Sequence, residues 1–273
     1  MADETRPDGS QSHKAPRAVQ PWVRAMHQFN THLSRDFLGG PRLLKLAWVI
    51  NFHKGTMPLA IALLMWIYSN DTLVAWVYLA LHGTYGVCWL LKHVAFPDAQ
   101  WEARVTFGGV LMSVILVLGP YWLLPYLLIS GILGPNHPTP SPVQLATAIG
   151  LHTIGIALML TADAQKYYTL KYRPGLIQEG LFKHVRHPNY LGEMLAYAAY
   201  ALLIHHWLAW AILGYIWIGY FLVNMRMKEA SLARYPEWPA YKASTGFLWP
   251  RAFARRGLAS NSARAPENKH AAP

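Results

Sequence analysis

Apolar residues run along this chain in long stretches, separated by short polar or proline-containing breaks. A helix needs about 20 predominantly apolar residues to span a bilayer. Six runs meet or approach that length. The first lies within Leu43–Tyr68 and is interrupted by Asn51-Phe52-His53-Lys54-Gly55. The second is Leu73–Phe96, and the third, Val105–Leu133, is broken by Pro120 and Pro125. The fourth is Val143–Ala162; the fifth and sixth, Tyr190–Ile204 and Trp207–Val223, are divided only by His205-His206. The prolines would also allow two short helices in the third run, and the fifth is short, so the range is five to seven. The pattern predicts an all-α, polytopic integral membrane protein with about six spans.

Composition agrees: 53% of the 273 residues are hydrophobic and 14% are charged, a balance unusual for a soluble domain. The breaks at Ser69–Thr72, Gly134–Pro142 and His205-His206 hold no Lys or Arg. The basic residues cluster in the N-terminal arm, the Lys92–Arg104 loop, the Tyr167–Arg186 region and the tail. With an even span number these four lie on one side, and the positive-inside rule makes that side, with both termini, cytoplasmic. The net charge of +11 is then accounted for by membrane lipids, with no nucleic acid needed. Residues 1–20 hold no apolar segment of a cleavable signal peptide. The expected organisation is an arm over 1–40, disordered to amphipathic, N-terminal transmembrane spans over 41–142, a C-terminal transmembrane domain over 143–253, and a disordered tail over 254–273.

Polar residues inside apolar runs carry the chemistry. The segment Gly180–Glu193 sets Arg186 and His187 before Pro188, with Asn189 and Glu193 one turn apart on the same helix face. Proline suits the first helical position, and a carboxylate within a span is a functional candidate by default. Tyr197 and Tyr200 continue the stripe, as ligand contacts or packing. Asp163 stands where the fourth run ends, with Lys166 as the available partner at i+3. A carboxylate at a helix C-terminus opposes the macrodipole, so it needs a partner there or a helix that continues past it. Arg226 and Glu229, at i and i+3, have the spacing of an ion pair. In the second run His82, Tyr85, Trp89 and Lys92 line one face, with His82 or Tyr85 as a proton donor and a satisfied core histidine as the bland alternative. His53 and Lys54 line a cavity mouth or snorkel to the interface. No metal is expected: the 13 histidines form no HExxH, and the single cysteine, Cys88, forms neither a CxxC pair nor an intrachain disulfide. Nucleotide signatures of soluble folds are absent as well.

The stretch Ala162-Asp163-Ala164-Gln165-Lys166, followed by Gly180-Leu181-Phe182 and Arg186-His187-Pro188-Asn189-Tyr190-Leu191-Gly192-Glu193, resembles the C-terminal domain of membrane steroid 5-alpha-reductases and sterol reductases. The resemblance covers roughly Leu158–Pro250. The wider superfamily includes isoprenylcysteine carboxyl methyltransferases and phospholipid N-methyltransferases, which share Arg-His-Pro. Asp163 and Glu193 favour the reductase branch; Lys228-Glu229 with Tyr235 and Tyr241 echoes the methyltransferases.

On the reductase branch the resemblance implies an NADPH-dependent reductase of a C=C bond in a steroid-like or other lipophilic enone. Asp163, Asn189 and Glu193 would hold the nicotinamide–ribose end. Lys166, Arg186, His187 and Arg226 would meet the phosphates, with Tyr190 and Tyr235 lining the pocket. The substrate would enter from the bilayer between the spans of 41–142, as the substrate side, and the cofactor-binding domain of 143–253. The Glu–Tyr couple of the 5-alpha-reductases has no counterpart here, because no glutamate lies between Glu4 and Glu102. The first alternative is an S-adenosylmethionine-dependent methyltransferase of a lipid or isoprenylcysteine, in which Glu229 would matter more than Asp163. The second is a non-enzymatic membrane protein that retains the fold.

Overall fold

Prolines and glycines decide how the apolar runs become helices in the computed structural model, which describes residues 19–251. The chain opens with α1 (Pro21–Arg35), and a two-residue strand β1 (Leu44–Lys45) leads into α2 (Leu46–Ile67). Thr72 caps α3 (Leu73–Ala95), and β2 (Arg104–Val105) pairs antiparallel with β1, Leu44 opposite Val105. This small ladder is the one departure from helix among the named elements. It ties the start of α2 to the start of α4 (Phe107–Met112).

The third apolar run forms one helical path. From α4 it passes through a wide π turn at Ser113–Leu118 into α5 (Gly119–Ile129). Pro120 has no N–H for the carbonyl of Leu116, and the Tyr215 hydroxyl donates to that carbonyl instead, at 3.1 Å. A capping box at Ser141 and Gln144, with Pro142 in the first turn, starts α6 (Pro142–Tyr172). It runs ten residues beyond the expected end at Ala162, so Asp163 lies inside a helix. Pro188 opens α7 (Pro188–Ile204) as its spacing predicts. His205, in left-handed conformation at φ 51°, turns the chain into α8 (Trp207–Ile216). A second π turn, Trp217–Leu222, joins α8 to α9 (Val223–Leu232), and α10 (Trp238–Ser244) follows. Asn30 of α1 donates to the Gly219 carbonyl within that turn at 2.8 Å, which pins α1 across the bundle end.

Four helical paths are long and apolar enough to cross a membrane: Leu73–Ala95, Phe107–Ile129, Pro142–Tyr172 and Trp207–Leu232. The protein is thus membrane-embedded by the length and composition of these helices. The other two long helices fall short for identifiable reasons. α7 has 17 residues, and α2 carries Asn51, His53 and Lys54 in its first half. Of the expected termini, residues 1–18 and 252–273 lie outside the described residues.

Two helix crossings position the polar interior. α6 and α7 share the most extensive contact, meeting through Gly155 and Gly192. A Cβ on Gly192 would stand 2.5 Å from the Gly155 carbonyl oxygen and from the Met159 nitrogen. Both atoms are backbone, so a rotamer change gives no relief. Gly192→Ala is expected to cost about 1–3 kcal/mol as overpacking, read as a lower Tm in detergent. Gly150→Ala, where nothing lies within 4 Å, should leave the Tm level or raise it. At the second crossing Pro58 has no N–H for the Lys54 carbonyl. Gly86 of α3 packs against that carbonyl, where a Cβ could not fit. The α2–α3 approach therefore centres on Lys54.

Candidate functional site

Both crossings face one interior, and the polar residues of α2, α3, α6 and α7 meet there in a file. At the rim Lys166 pairs with Asp98 at 2.9 Å, and the expected pair with Asp163 is long, at 3.9 Å. The partner of Asp163 is Lys92 of α3. Asn189 adds a hydrogen bond from its amide Nδ2 to Asp163 Oδ1 at 3.1 Å. Lys92 and Asp163 are both buried, so the pair is locked between α3 and α6.

One turn along α7, Glu193 accepts from the Tyr85 hydroxyl at 3.0 Å. The contact joins a phenol of α3 to a carboxylate of α7. Lys54 approaches the same phenol, donating to Tyr85 Oη at 3.2 Å and to Tyr197 Oη at 2.6 Å. Lys54 is 3% exposed, so it neither snorkels nor opens to a cavity mouth. It was legible as a charged residue within an apolar run, the same signal that singled out Glu193.

His82 lies deeper. Its ring stacks on Tyr200 at 4.6 Å and 8°, and Nδ1 meets the Tyr78 hydroxyl at 3.3 Å. Tyr200 in turn meets His152 at 3.2 Å. Nε2 of His82 is buried without a hydrogen-bond partner among the described residues. A buried imidazole nitrogen in that state is free to meet a ligand atom or an ordered water.

The remaining candidates form a second cluster around Glu229. Arg186 donates through Nε to Glu229 at 2.6 Å, and through one terminal nitrogen to the Thr245 and Lys242 carbonyls at 2.5 and 3.2 Å. A backbone bridge from Val185 to Gly246 runs beside it. Arg186 therefore fastens the segment after α10 to the start of α7. Arg226 reaches Glu229 at 3.4 Å with 45% of its side chain exposed, and its guanidinium lies 4.6 Å from the Phe247 ring. The Tyr190 ring packs on His187 and Phe221. Tyr235 stands apart, its side chain paired with Arg234. Gln165 holds the connection before α7 by accepting from the Leu181 N–H at 3.1 Å and donating to the Glu179 carbonyl at 2.8 Å.

His187, just before α7, has a pKa below the ordinary histidine value. Burial is the main cause, opposed by Glu229 and reinforced by Arg186 and Arg226. A lowered folded-state value means that the unfolded chain takes the proton first on acidification. Stability from this group is therefore held above about pH 6.5 and lost as pH falls below it. Melting at about pH 7.5 and 5.5 should show a smaller loss in His187→Asn than in the parent.

A family model described as a protein of unknown function, DUF1295, matches residues 40–245. The chain belongs to this family. The DUF1295 match takes in the first cluster and every predicted site residue, and ends just before Gly246 and Phe247 of the second. A 58-residue stretch is 42% identical to an uncharacterized protein of Schizosaccharomyces pombe, covering 21% of this chain. It covers 19% of that protein, so this DUF1295 member spans about a fifth of the length of the curated relative it matches. No solved structure matches. Among the described residues no group of His, Cys, Asp and Glu could hold a metal ion.

Proposed function

We propose that this DUF1295 protein is a membrane-embedded, NADPH-dependent reductase of a C=C bond in a lipophilic enone. The observation that carries the reading is the 3.0 Å contact between Tyr85 and Glu193. It joins a phenol of the N-terminal spans to the residue that the sequence resemblance assigns to the nicotinamide end. We further propose six spans, with α2 and α7 completing the four apolar paths, and both termini in the cytoplasm. An N-terminal substrate half and a C-terminal cofactor half then meet at the Lys54–Tyr85–Glu193 file.

NADPH, when bound, supplies a hydride, and its phosphates need cations and N–H donors. The cations available are fewer than the sequence suggests. Arg186 is used within the fold and Lys166 is held by Asp98. Arg226 is 45% exposed beside Glu229, and the N-terminus of α7 has no side-chain cap. Free first-turn N–H groups and an arginine form an anion seat of the right kind. For the substrate, hydride addition at the β-carbon moves the carbonyl π pair onto oxygen. The Tyr85 hydroxyl turns from Glu193 and passes its proton to that oxygen, and the enol then tautomerises to the saturated ketone. The phenolate left on Tyr85 recovers a proton from water.

A thermal-shift titration of detergent-solubilised protein with NADPH, NADH and S-adenosylmethionine tests the reading. A ligand at 100 times its Kd that binds only the folded state stabilises by about 2.7 kcal/mol. The expected result is stabilisation by NADPH that is lost in Glu193→Gln with Asn189→Ala. Stabilisation by S-adenosylmethionine alone would move the protein to methyl transfer, and no response to any of the three would favour a non-enzymatic role.

A further inference from the structure

The residue that the reductase reading leaves unused is Lys54. Its ammonium is enclosed by the rings of Tyr85, Tyr121, Trp89 and Tyr197, at 4.5, 5.0, 5.3 and 5.3 Å. Among the described residues no carboxylate lies within ion-pair distance of it; Glu193 is reached only through the Tyr85 hydroxyl. An ammonium has three N–H bonds, and two go to Tyr85 and Tyr197. Ring faces and neutral hydroxyls balance a buried cation less completely than a carboxylate does. One donor and most of the positive charge therefore remain for an incoming oxygen. Trp89, one wall of this box, also lines a cavity of about 10 Å³, the size of a single water, with Ile50, Asn51, Lys92, Asp98 and Trp101. The Trp89 indole N–H is held by Asn51 at 3.2 Å, which fixes the wall between that cavity and Lys54.

We propose that Lys54 receives the oxygen of a lipophilic carbonyl ligand on its remaining N–H, an oxyanion site inside the bundle that the Tyr85 hydroxyl joins by turning from Glu193. As a step of catalysis this rests on the reductase reading; as a binding site it does not. In the reaction the ammonium stays protonated and faces the enolate oxygen as the carbonyl π pair moves onto it, while the proton comes from Tyr85. Fixed positive charge aimed at a developing oxyanion lowers the barrier without reorganisation. Glu193 accepts the Tyr85 O–H in the structure, and as the ligand arrives that single O–H turns from the carboxylate to the ligand oxygen.

An alkyl-substituted nitrophenol tests the site without any cofactor. Its anion mimics an enolate and absorbs at longer wavelength than the neutral phenol. With the full-length protein in detergent, the bound probe should show the anion band at a pH where the free probe is mostly neutral. Lys54→Met should abolish the band and raise the Kd by about 10- to 100-fold, the range of one charge-assisted hydrogen bond. Lys54→Arg should keep part of the band. An unchanged band in Lys54→Met, or no anion band in the parent, overturns the proposal. If Lys54→Met does not fold, the parent protein still decides. The matching alkyl nitrobenzene, which lacks the oxygen Lys54 would receive, should bind the parent at least about 10-fold more weakly than the nitrophenol, and equal affinity refutes the site. The NADPH thermal shift separates the two ideas. A Lys54-dependent anion band in a protein that ignores NADPH keeps the oxyanion site and removes the reductase reading. NADPH stabilisation with a band indifferent to Lys54 does the reverse.

Discussion

Tyr85→Phe is expected to lower the rate of NADPH-dependent enone reduction by about 10²- to 10³-fold, the usual effect of removing one donor to a developing oxyanion. The change deletes one oxygen from a buried side chain and leaves its ring contacts with Trp89 and Tyr197 in place. Lys54 retains its bond to Tyr197, so the box does not lose its cation's closest partner. Stabilisation by NADPH should survive, because the phenol faces the substrate side of Glu193. Single-turnover kinetics with saturating cofactor check the prediction. A rate within threefold of the parent would remove Tyr85 as donor and turn attention to His82, whose Nε2 is buried without a partner among the described residues. Loss of both rate and NADPH stabilisation would instead mean that Tyr85 acts by orienting Glu193.

The helical, membrane-embedded character of the chain was legible because apolar run length answers directly to bilayer thickness. The start of α7 at Pro188 was legible for an equally local reason. Its missing N–H costs nothing in a first turn. Helix ends beyond the membrane were less visible. Asp163, Lys166 and Tyr172 are polar or amphipathic, and a hydropathy pattern stops before them although α6 does not. Pro120 suggested a break in the third run, yet the π turn and the Tyr215 hydroxyl absorb it. A bond between residues about a hundred positions apart is invisible to any local pattern.

The same limit explains the pairing of charges. Spacing offered Lys166 to Asp163 and Arg226 to Glu229 because i, i+3 neighbours are what a single helix displays. Both pairs form, at 3.9 and 3.4 Å, but the fold adds closer partners, Lys92 and Arg186, from other segments. Lys54 was noticed as an interruption and read by its snorkelling capacity. Its burial follows from Pro58 and Gly86, which bring α3 against its carbonyl. Neither residue points to Lys54 until the helices are packed together.

Arg186→Met is expected to destabilise the folded protein by about 3–5 kcal/mol, the cost of leaving a buried carboxylate without its main partner. Arg186 and Glu229 have only 6% of their side chains exposed, so water cannot replace the guanidinium. His187 stands 3.7 Å from the carboxylate, and burial disfavours its charged form, so it compensates poorly. Arg186→Met with Glu229→Leu should recover only part of the loss. The carbonyls of Thr245 and Lys242, which Arg186 also satisfies, stay without that donor in either variant. Arg226→Ala gives the contrast. Its pair with Glu229 is half in solvent, so its loss should cost less than about 1 kcal/mol, while in the reductase reading it weakens NADPH binding. Chemical denaturation and NADPH titration of these variants therefore separate the arginine that holds the fold from the one placed to meet a ligand. Equal stability losses for Arg186→Met and Arg226→Ala would refute that division. A full rescue by the double variant would show that the ion pair, and not the clasp onto Thr245 and Lys242, carries the role of Arg186.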